Sequence, residues 1–421
     1  MADPYPIRPV TDEEFAAYHA VAEHAFHTGP PAERDMPRML RRFEADRSLA
    51  AFDPALPASA GPVGTAGADS FRMCVPGGAA VPTAGVTAVS VLPTYRRRGI
   101  LRSLMRRQLA DIAAGAEPIA ALWASETPLY GRYGYGRASM QATFRFRRGE
   151  GALAPTAPAD SRLRLRIAEP AVVAAELAKV HDAVLAAQPG FFSRNDAWWE
   201  RVLHDAPEDR QGFSPQRCLL AEDDSGPRGY ALYAAENRLF DDTFLPDGRL
   251  VVRELFAADP AAGAALWRDL LSRDLLSEIV ARLRSFDDPV LYQLHDPRRA
   301  RLQVADGLWV RVIDLPKALT SRRYSCPLDV VLGVTDELLP DNAGRWRLRA
   351  GGTSGGVTCE RTGDGADVAL DIRELGAAYL GGTRLGALAA AGLVTELRPG
   401  TLAPLSAAMS WDPAPWCPRI F

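Results

Sequence analysis

The sequence predicts a mixed α/β fold, α+β in its later parts, laid out as three successive regions, and three observations carry that prediction. Between Val89 and Ala124 an apolar strand stops at Pro93, an arginine–glycine turn follows, and an amphipathic helix leads into a second buried strand. Strand, turn, helix and strand in that order form a right-handed parallel crossover. The same order returns in worn form between Cys218 and Leu271, and beyond residue 304 strand-like and helix-like patterns alternate again.

In chain order, Thr11 and Glu14 make a capping box for a first helix whose Phe15, Tyr18, Val21, Ala22, Ala25 and Phe26 recur at helical spacing. Residues 49–52, 67–74 and 84–91 read as strands parted by Pro/Gly turns. After Gly99 the apolar positions Leu101, Leu104, Met105, Leu109 and Ile112 recur at three and four, with Arg102, Arg106 and Arg107 between them. That is an amphipathic helix of about four turns, ended by Gly115. Residues 119–124 read as a buried strand, and the alternating residues 143–147 close a first region expected over 1–150. The Ala/Pro/Gly-rich residues 149–161 read as a linker.

The second region is expected over 162–303. Residues 218–221 and 229–233 make a hairpin across 223–228, and residues 252–257 a further strand. A helix then runs through Leu266, Trp267, Leu270 and Leu271, with Asp259 as its cap and Pro260 at its first position. No arginine–glycine turn stands before it. The third region, expected over 304–421, opens with a strand at 308–313. Further strands follow at 346–349 and 368–372, with helical stretches at 373–379 and 384–391.

At 421 residues the chain has room for about two to four domains, each with its own core. A net charge of −3 and no basic block beyond Arg96–Arg98 exclude a general nucleic-acid binder. No run of about eighteen apolar residues is present and the start lacks a signal-peptide core, so no membrane partner and a cytoplasmic location are expected. Five cysteines, Cys74, Cys218, Cys326, Cys359 and Cys417, are odd in number and scattered, which excludes a disulfide framework and a Cys-x-x-Cys site. His24 and His27 share a helix face without a third ligand at metal spacing, so no metal is expected.

The chemistry lies in the turn Arg96-Arg97-Arg98-Gly99 and the helix start Ile100-Leu101-Arg102. A helix N-terminus presents about half a positive charge and several unpaired N–H donors, and arginines beside it grip phosphate bidentately. This is a phosphate-binding shape.

The pattern Arg96-x-x-Gly99-x-Leu101 resembles the acyl-CoA loop of the GNAT superfamily of N-acetyltransferases, Gln/Arg-x-x-Gly-x-Gly/Ala. Tyr130-x-x-x-Gly134-Tyr135 resembles what the superfamily shows after its fifth strand. Over its whole length the chain resembles the actinobacterial Eis (enhanced intracellular survival) family of aminoglycoside acetyltransferases. The matches are 81–85, 91–102, 124–126, 130–136, 229–233, 306–311 and a phenylalanine as the last residue.

The resemblance implies tandem GNAT domains, the second degenerate, followed by a sterol-carrier-like domain, in a homohexamer, and the missing arginine–glycine turn predicts that the second region holds no CoA. It further implies that Val89, Ser90 and Val91 pair with the pantetheine arm of acetyl-CoA. Arg97, Arg98, Gly99, Ile100, Leu101 and Arg102 hold the pyrophosphate, and Ser125 and Glu126 close the other side. Tyr130 becomes the general acid, acting mainly as a hydrogen-bond donor to the departing sulfur, and the terminal carboxylate of Phe421 the general base. Three departures stand out: Leu101 where Gly or Ala is usual, which requires its side chain to turn onto the sheet, and Ile420 and Thr28 where family members carry acidic residues. Three functions are compatible with this: acetylation of aminoglycoside-like or other polyamine substrates, acetylation of lysine side chains or another amine, and a lipid- or ligand-binding scaffold.

Overall fold

The computed structural model describes every residue except 1–3, 237 and 239. The first region contributes β1 (Ile7–Pro9), α1 (Phe15–Phe26), α2 (Met36–Leu40), β2 (Leu49–Ala51), β3 (Gly64–Cys74), β4 (Ala80–Val91), α3 (Ile100–Ala113), β5 (Ile119–Trp123), α4 (Thr127–Tyr130) and β6 (Gly136–Arg137). Next come β7 (Met140–Arg147), β8 (Arg164–Ala168), α5 (Ala174–Leu185), α6 (Asp196–Leu203), β9 (Arg217–Asp223), β10 (Gly226–Ala235), β11 (Gly248–Ala257), α7 (Pro260–Leu271), β12 (Leu276–Arg284), α8 (Val290–Gln293) and β13 (Gln303–Asp306). The remainder is β14 (Leu308–Val312), α9 (Leu315–Ser321), β15 (Pro327–Thr335), β16 (Gly344–Gly351), β17 (Val357–Arg361), β18 (Val368–Asp371), α10 (Ile372–Ala378), α11 (Leu385–Ala390), β19 (Val394–Glu396) and α12 (Leu402–Met409).

Three sheets result, in the orders β1-β2-β3-β4-β5-β14-β6, β13-β7-β12-β11-β10-β9-β8 and β17-β16-β15-β18-β19. Two strands lie elsewhere than their sequence position predicts. The strand expected to close the first region is β7, and it pairs with β12 and β13 in the second sheet. The strand expected to open the third region is β14, which completes the first sheet between β5 and β6. The cause is one antiparallel ribbon: β6 pairs with β14 and β7 with β13, and both chains bend where Ser139 meets Gly307 and Leu308. There the Gly307 N–H donates to the Ser139 carbonyl at 3.0 Å and the Leu308 N–H to Ser139 Oγ at 2.8 Å. Nor is the expected linker at 149–161 free. Leu153 bridges to Leu294 and packs on the second core.

The amphipathic stripe of α3 lies on one face of the first sheet, with Met105, Leu109 and Ile112 against Ala68, Ala84, Val86 and Leu122. The other face shares a core with the third domain, where Phe71, Val81 and Val310 meet Leu332, Trp346 and Leu375. A buried ion pair between Arg311 on β14 and Asp336 after β15 joins the two domains, at 2.7 Å. Among the described residues no helix is long and apolar enough to cross a membrane.

Candidate active site

Strand β4 pairs with β5 only from Thr83–Ile119 to Gly85–Ala121, then continues to Val91 with no strand partner on that side. On its other edge Ser90 stays opposite Thr65 while Thr87 opposes Gly67, so Ala88 and Val89 share one partner position. That bulge holds Ala88 at φ 49° and turns the strand away from β5. A cleft of about 1200 Å³ opens in the gap, walled by Val89, Ser90 and Val91 on one side and by Ser125, Glu126 and Tyr130 on the other.

At one end of the cleft stands the N-terminus of α3. Gly99 sits at φ 87°, and a Cβ there would meet nothing within 4 Å, so glycine serves the left-handed backbone rather than space. Arg97 is also left-handed, at φ 63°. The first helical bond runs from the Ser103 N–H to the Gly99 carbonyl at 3.1 Å, and no side chain caps the helix. The amides of Ile100, Leu101 and Arg102 are therefore left as donors. Arg96, Arg97, Arg102 and Arg106 line the same end, and among the described residues none of them holds an ion pair. Arg98 turns away. Its guanidinium donates to the Thr94 carbonyl at 3.1 Å and the Tyr5 hydroxyl at 3.3 Å and lies 4.6 Å over the Tyr95 ring. Leu101 packs half-buried on the cluster of Met105, Leu109 and Tyr130 while also lining the cleft.

Tyr130 ends α4 and is 5% exposed. Burial pushes its phenol above the ordinary range, opposed by a hydrogen bond with Ser125. The hydroxyl is thus a fixed donor rather than a titrating acid near neutral pH. Glu126 is the exposed N-cap position of α4, its carbonyl accepting from the Leu129 N–H at 3.1 Å.

Phe421 does not line the cleft. Its ring lies against Phe71 and Phe192, at 5.2 and 5.1 Å between centroids, and 3.2 Å from where a Cβ on Gly85 would stand. It therefore marks the point where β4 leaves β5, on the sheet face opposite α3. The tail that carries it is anchored in the second domain. The Trp416 indole packs on Phe191 and Phe256 and donates to the Leu283 carbonyl at 2.5 Å, and its N–H donates to the Pro189 carbonyl at 2.9 Å. Trp416, Cys417 and Arg419 are buried and Ile420 is exposed.

Residues 6–138 match one acetyltransferase (GNAT) domain family, residues 190–312 a second acetyltransferase (GNAT) domain family, and residues 315–418 a sterol carrier protein domain family. An uncharacterised N-acetyltransferase of Streptomyces coelicolor is 42% identical over 414 residues, 98% of this chain and 99% of that one. The N-acetyltransferase Eis of Mycobacterium bovis is 33% identical over 348 residues, 81% of each chain. The chain belongs to the Eis family of GNAT N-acetyltransferases. Eis1 from Mycobacterium abscessus has the same architecture at a TM-score of 0.82 and 31% identity, over 99% of this chain and 100% of that one.

This Eis-family enzyme brings together in its cleft every residue expected at the cofactor site except Arg98, and it holds Phe421 behind the β4–β5 junction. Sequence reasoning missed the end of α1, where Ala25, Phe26 and His27 reach the cleft, and Glu337 and Leu338 of the third domain. No local pattern announces either group, because each arrives from a distant segment. His24 Nδ1 meets the Ala20 carbonyl at 2.7 Å, while His27 faces the cleft. Asp35, His204 and Asp209 do converge, but Arg38 and Arg34 already bond the two carboxylates at 3.0 and 3.1 Å.

Proposed function

We propose that this enzyme transfers acetyl from acetyl-CoA to a primary amine, with the cleft beside β4 holding the cosubstrate. One observation carries the reading: an uncapped helix N-terminus, four arginines without an ion pair among the described residues, a strand edge free of strand partners among them and a buried tyrosine converge on one cleft. The amides of Ile100, Leu101 and Arg102 with the Arg97 and Arg102 side chains suit a pyrophosphate. The free edge at Val89, Ser90 and Val91 suits the amides of a pantetheine arm, which bond as an added strand would. Ser125 and Glu126 bound the opposite wall. Bound there, the thioester supplies an acetyl carbonyl open to attack and a sulfur leaving group. Tyr130, kept protonated by burial, donates a hydrogen bond where charge develops on that sulfur. An attacking amine is mostly protonated near neutral pH, so a base must accept its proton. The carboxylate of Phe421, whose ring packs at Gly85 and which has no hydrogen bond or ion pair among the described residues, is assigned that role.

The family likeness also brings in acceptors of the aminoglycoside or polyamine kind, lysine side chains as the other amine class, a homohexamer and a cytoplasmic setting. An acetylation screen over these amines, counting acetyl groups by mass, tests the reading. Acetyl-CoA-dependent mass gain on one class supports it, and none on any class in protein that binds CoA overturns it. Light scattering at the monomer mass of 45.5 kDa rejects the hexamer.

A further inference from the structure

Among the described residues most charged side chains are paired, and four that hold no ion pair stand together on the sheet face that holds Phe421. They are Arg42 beyond α2, Asp69 on β3, Arg201 on α6 and Arg419 on the tail. The three guanidiniums surround the buried Trp198 indole, at 4.9, 5.0 and 4.0 Å from a ring centroid. Among the described residues none of them approaches Asp69, or any other carboxylate, within ion-pair distance. The carboxylates around them are already engaged: Asp35 with Arg38, Glu200 with Arg41, and Glu254 with Arg194 and Tyr230. Arg419 is 9% exposed, and both of its terminal nitrogens, like Arg42 Nε, are buried without a hydrogen-bond partner.

A buried guanidinium with no partner is costly, and the cost is recovered when an anion arrives. Burial pulls the Arg419 pKa down to about 9 and pushes the Asp69 carboxyl up to about 6, the mark of charges held apart rather than collapsed into ion pairs. Arg201 is exposed and Asp69 and Arg42 half-buried, so the cluster opens to solvent.

The cluster adjoins the place where the acceptor amine must stand. Asp69 lies opposite Gly85 across the β3–β4 pair, and Gly85 is the last residue that β4 pairs with β5. The Phe421 ring touches Phe71, whose ring lies 5.4 Å from Trp198. Arg419 and the Phe421 carboxylate ride on the same short tail. Counting the chain terminus, three cations here face two carboxylates, a net positive balance that disfavours a polycation and suits a molecule of both signs.

We infer that the acceptor is an amine that also bears a carboxylate, with Arg42, Arg201 and Arg419 taking the carboxylate beside Trp198 and the amine directed to Phe421. The inference rests on the acetyl transfer proposed above. It is tested by steady-state acetylation of matched pairs that differ by one carboxylate, lysine against cadaverine and ornithine against putrescine. The full-length enzyme is expected to favour the carboxylated member by about tenfold or more in kcat/KM. In Arg419→Met that preference should fall to within about threefold through a higher KM for the amino acid, with cadaverine turnover retained. Arg42→Met, which leaves the tail untouched, should do the same and so separates lost recognition from a displaced tail. Preference for the plain diamines, or equal losses on both members in both variants, overturns the inference while leaving acetyl transfer standing. No turnover of any amine overturns the acetyl-transfer reading itself.

Discussion

Residues 92–99 separate β4 from α3 in the first domain, whereas only Ala258 and Asp259 separate β11 from α7 in the second. Both strands outrun their parallel partners, β4 beyond Gly85 and β11 beyond Val252. The gaps are filled differently. In the first, the α3 amides face open space and unpaired arginines. In the second, Asp259 caps the helix by accepting from the Ala261 and Ala262 N–H groups, each at 3.0 Å, and Arg228 neutralises it at 2.7 Å. Arg284 donates to the Leu255 carbonyl at 2.6 Å, and its guanidinium stands 4.6 Å from the Trp416 ring, so the second gap is closed by the protein itself. The same crossover thus yields a binding cleft or a mount for the tail, depending on whether its helix end is left open. Trp416 sits in the second gap and Phe421, five residues on, reaches the junction of the first.

The largest effect expected from this contrast concerns the tail. One added glycine moves the terminal carboxylate by about 3.5 Å and puts a neutral amide in its place, where about 1 Å of misplacement can cost roughly 100-fold. Acetyl transfer should fall by more than about 100-fold, with CoA affinity unchanged by calorimetry. Full activity in the extended protein would move the base elsewhere.

Next comes the arginine set. Arg97→Ala combined with Arg102→Ala should weaken CoA by about 2–4 kcal/mol, roughly 30- to 1000-fold in Kd. Arg98→Ala, whose guanidinium is already spent on Thr94, Tyr5 and Tyr95, should stay within about threefold. Equal losses for both would show that the loop rearranges on binding.

On the proposed role, in which its hydroxyl acts only as sulfur charge develops, Tyr130→Phe should lower kcat by about tenfold or more and leave CoA affinity in place. Unchanged turnover would reduce Tyr130 to packing.

A smaller effect distinguishes the second domain by pH. His181 is buried against Phe191, Trp199 and Phe256, and burial, with the Arg194 and Arg419 charges, holds its pKa far below the usual imidazole range. The unfolded chain takes up a proton near pH 6.5 and the folded one does not, so this stability is present above that pH and lost as it falls. Between pH 6.5 and 5 the loss should be about 2 kcal/mol, read by denaturant unfolding, and His181→Gln should flatten that slope. An equal slope in the variant would assign the acid sensitivity to other groups.

Much of this was legible from local pattern. The α3 stripe, the Asp259 cap and the Arg96–Gly99 turn each depend on a few neighbouring residues, and each stands where its pattern puts it. The ribbon of β6, β7, β13 and β14 was not legible, since the partners lie about 165 residues apart and the strands read alike in either sheet. The turning away of Arg98 depends on Tyr5, far along the chain. The cluster around Trp198 draws on four segments, and nothing local in Arg42, Asp69, Arg201 or Arg419 marks them as neighbours.

The contrast between an open and a filled crossover is tested most directly by calorimetric titration of CoA into the full-length protein. The account predicts one CoA per chain, and a Kd raised by roughly 30- to 1000-fold when Arg97→Ala and Arg102→Ala are combined. Two sites per chain, or one site whose affinity is unchanged by the double substitution, would contradict it.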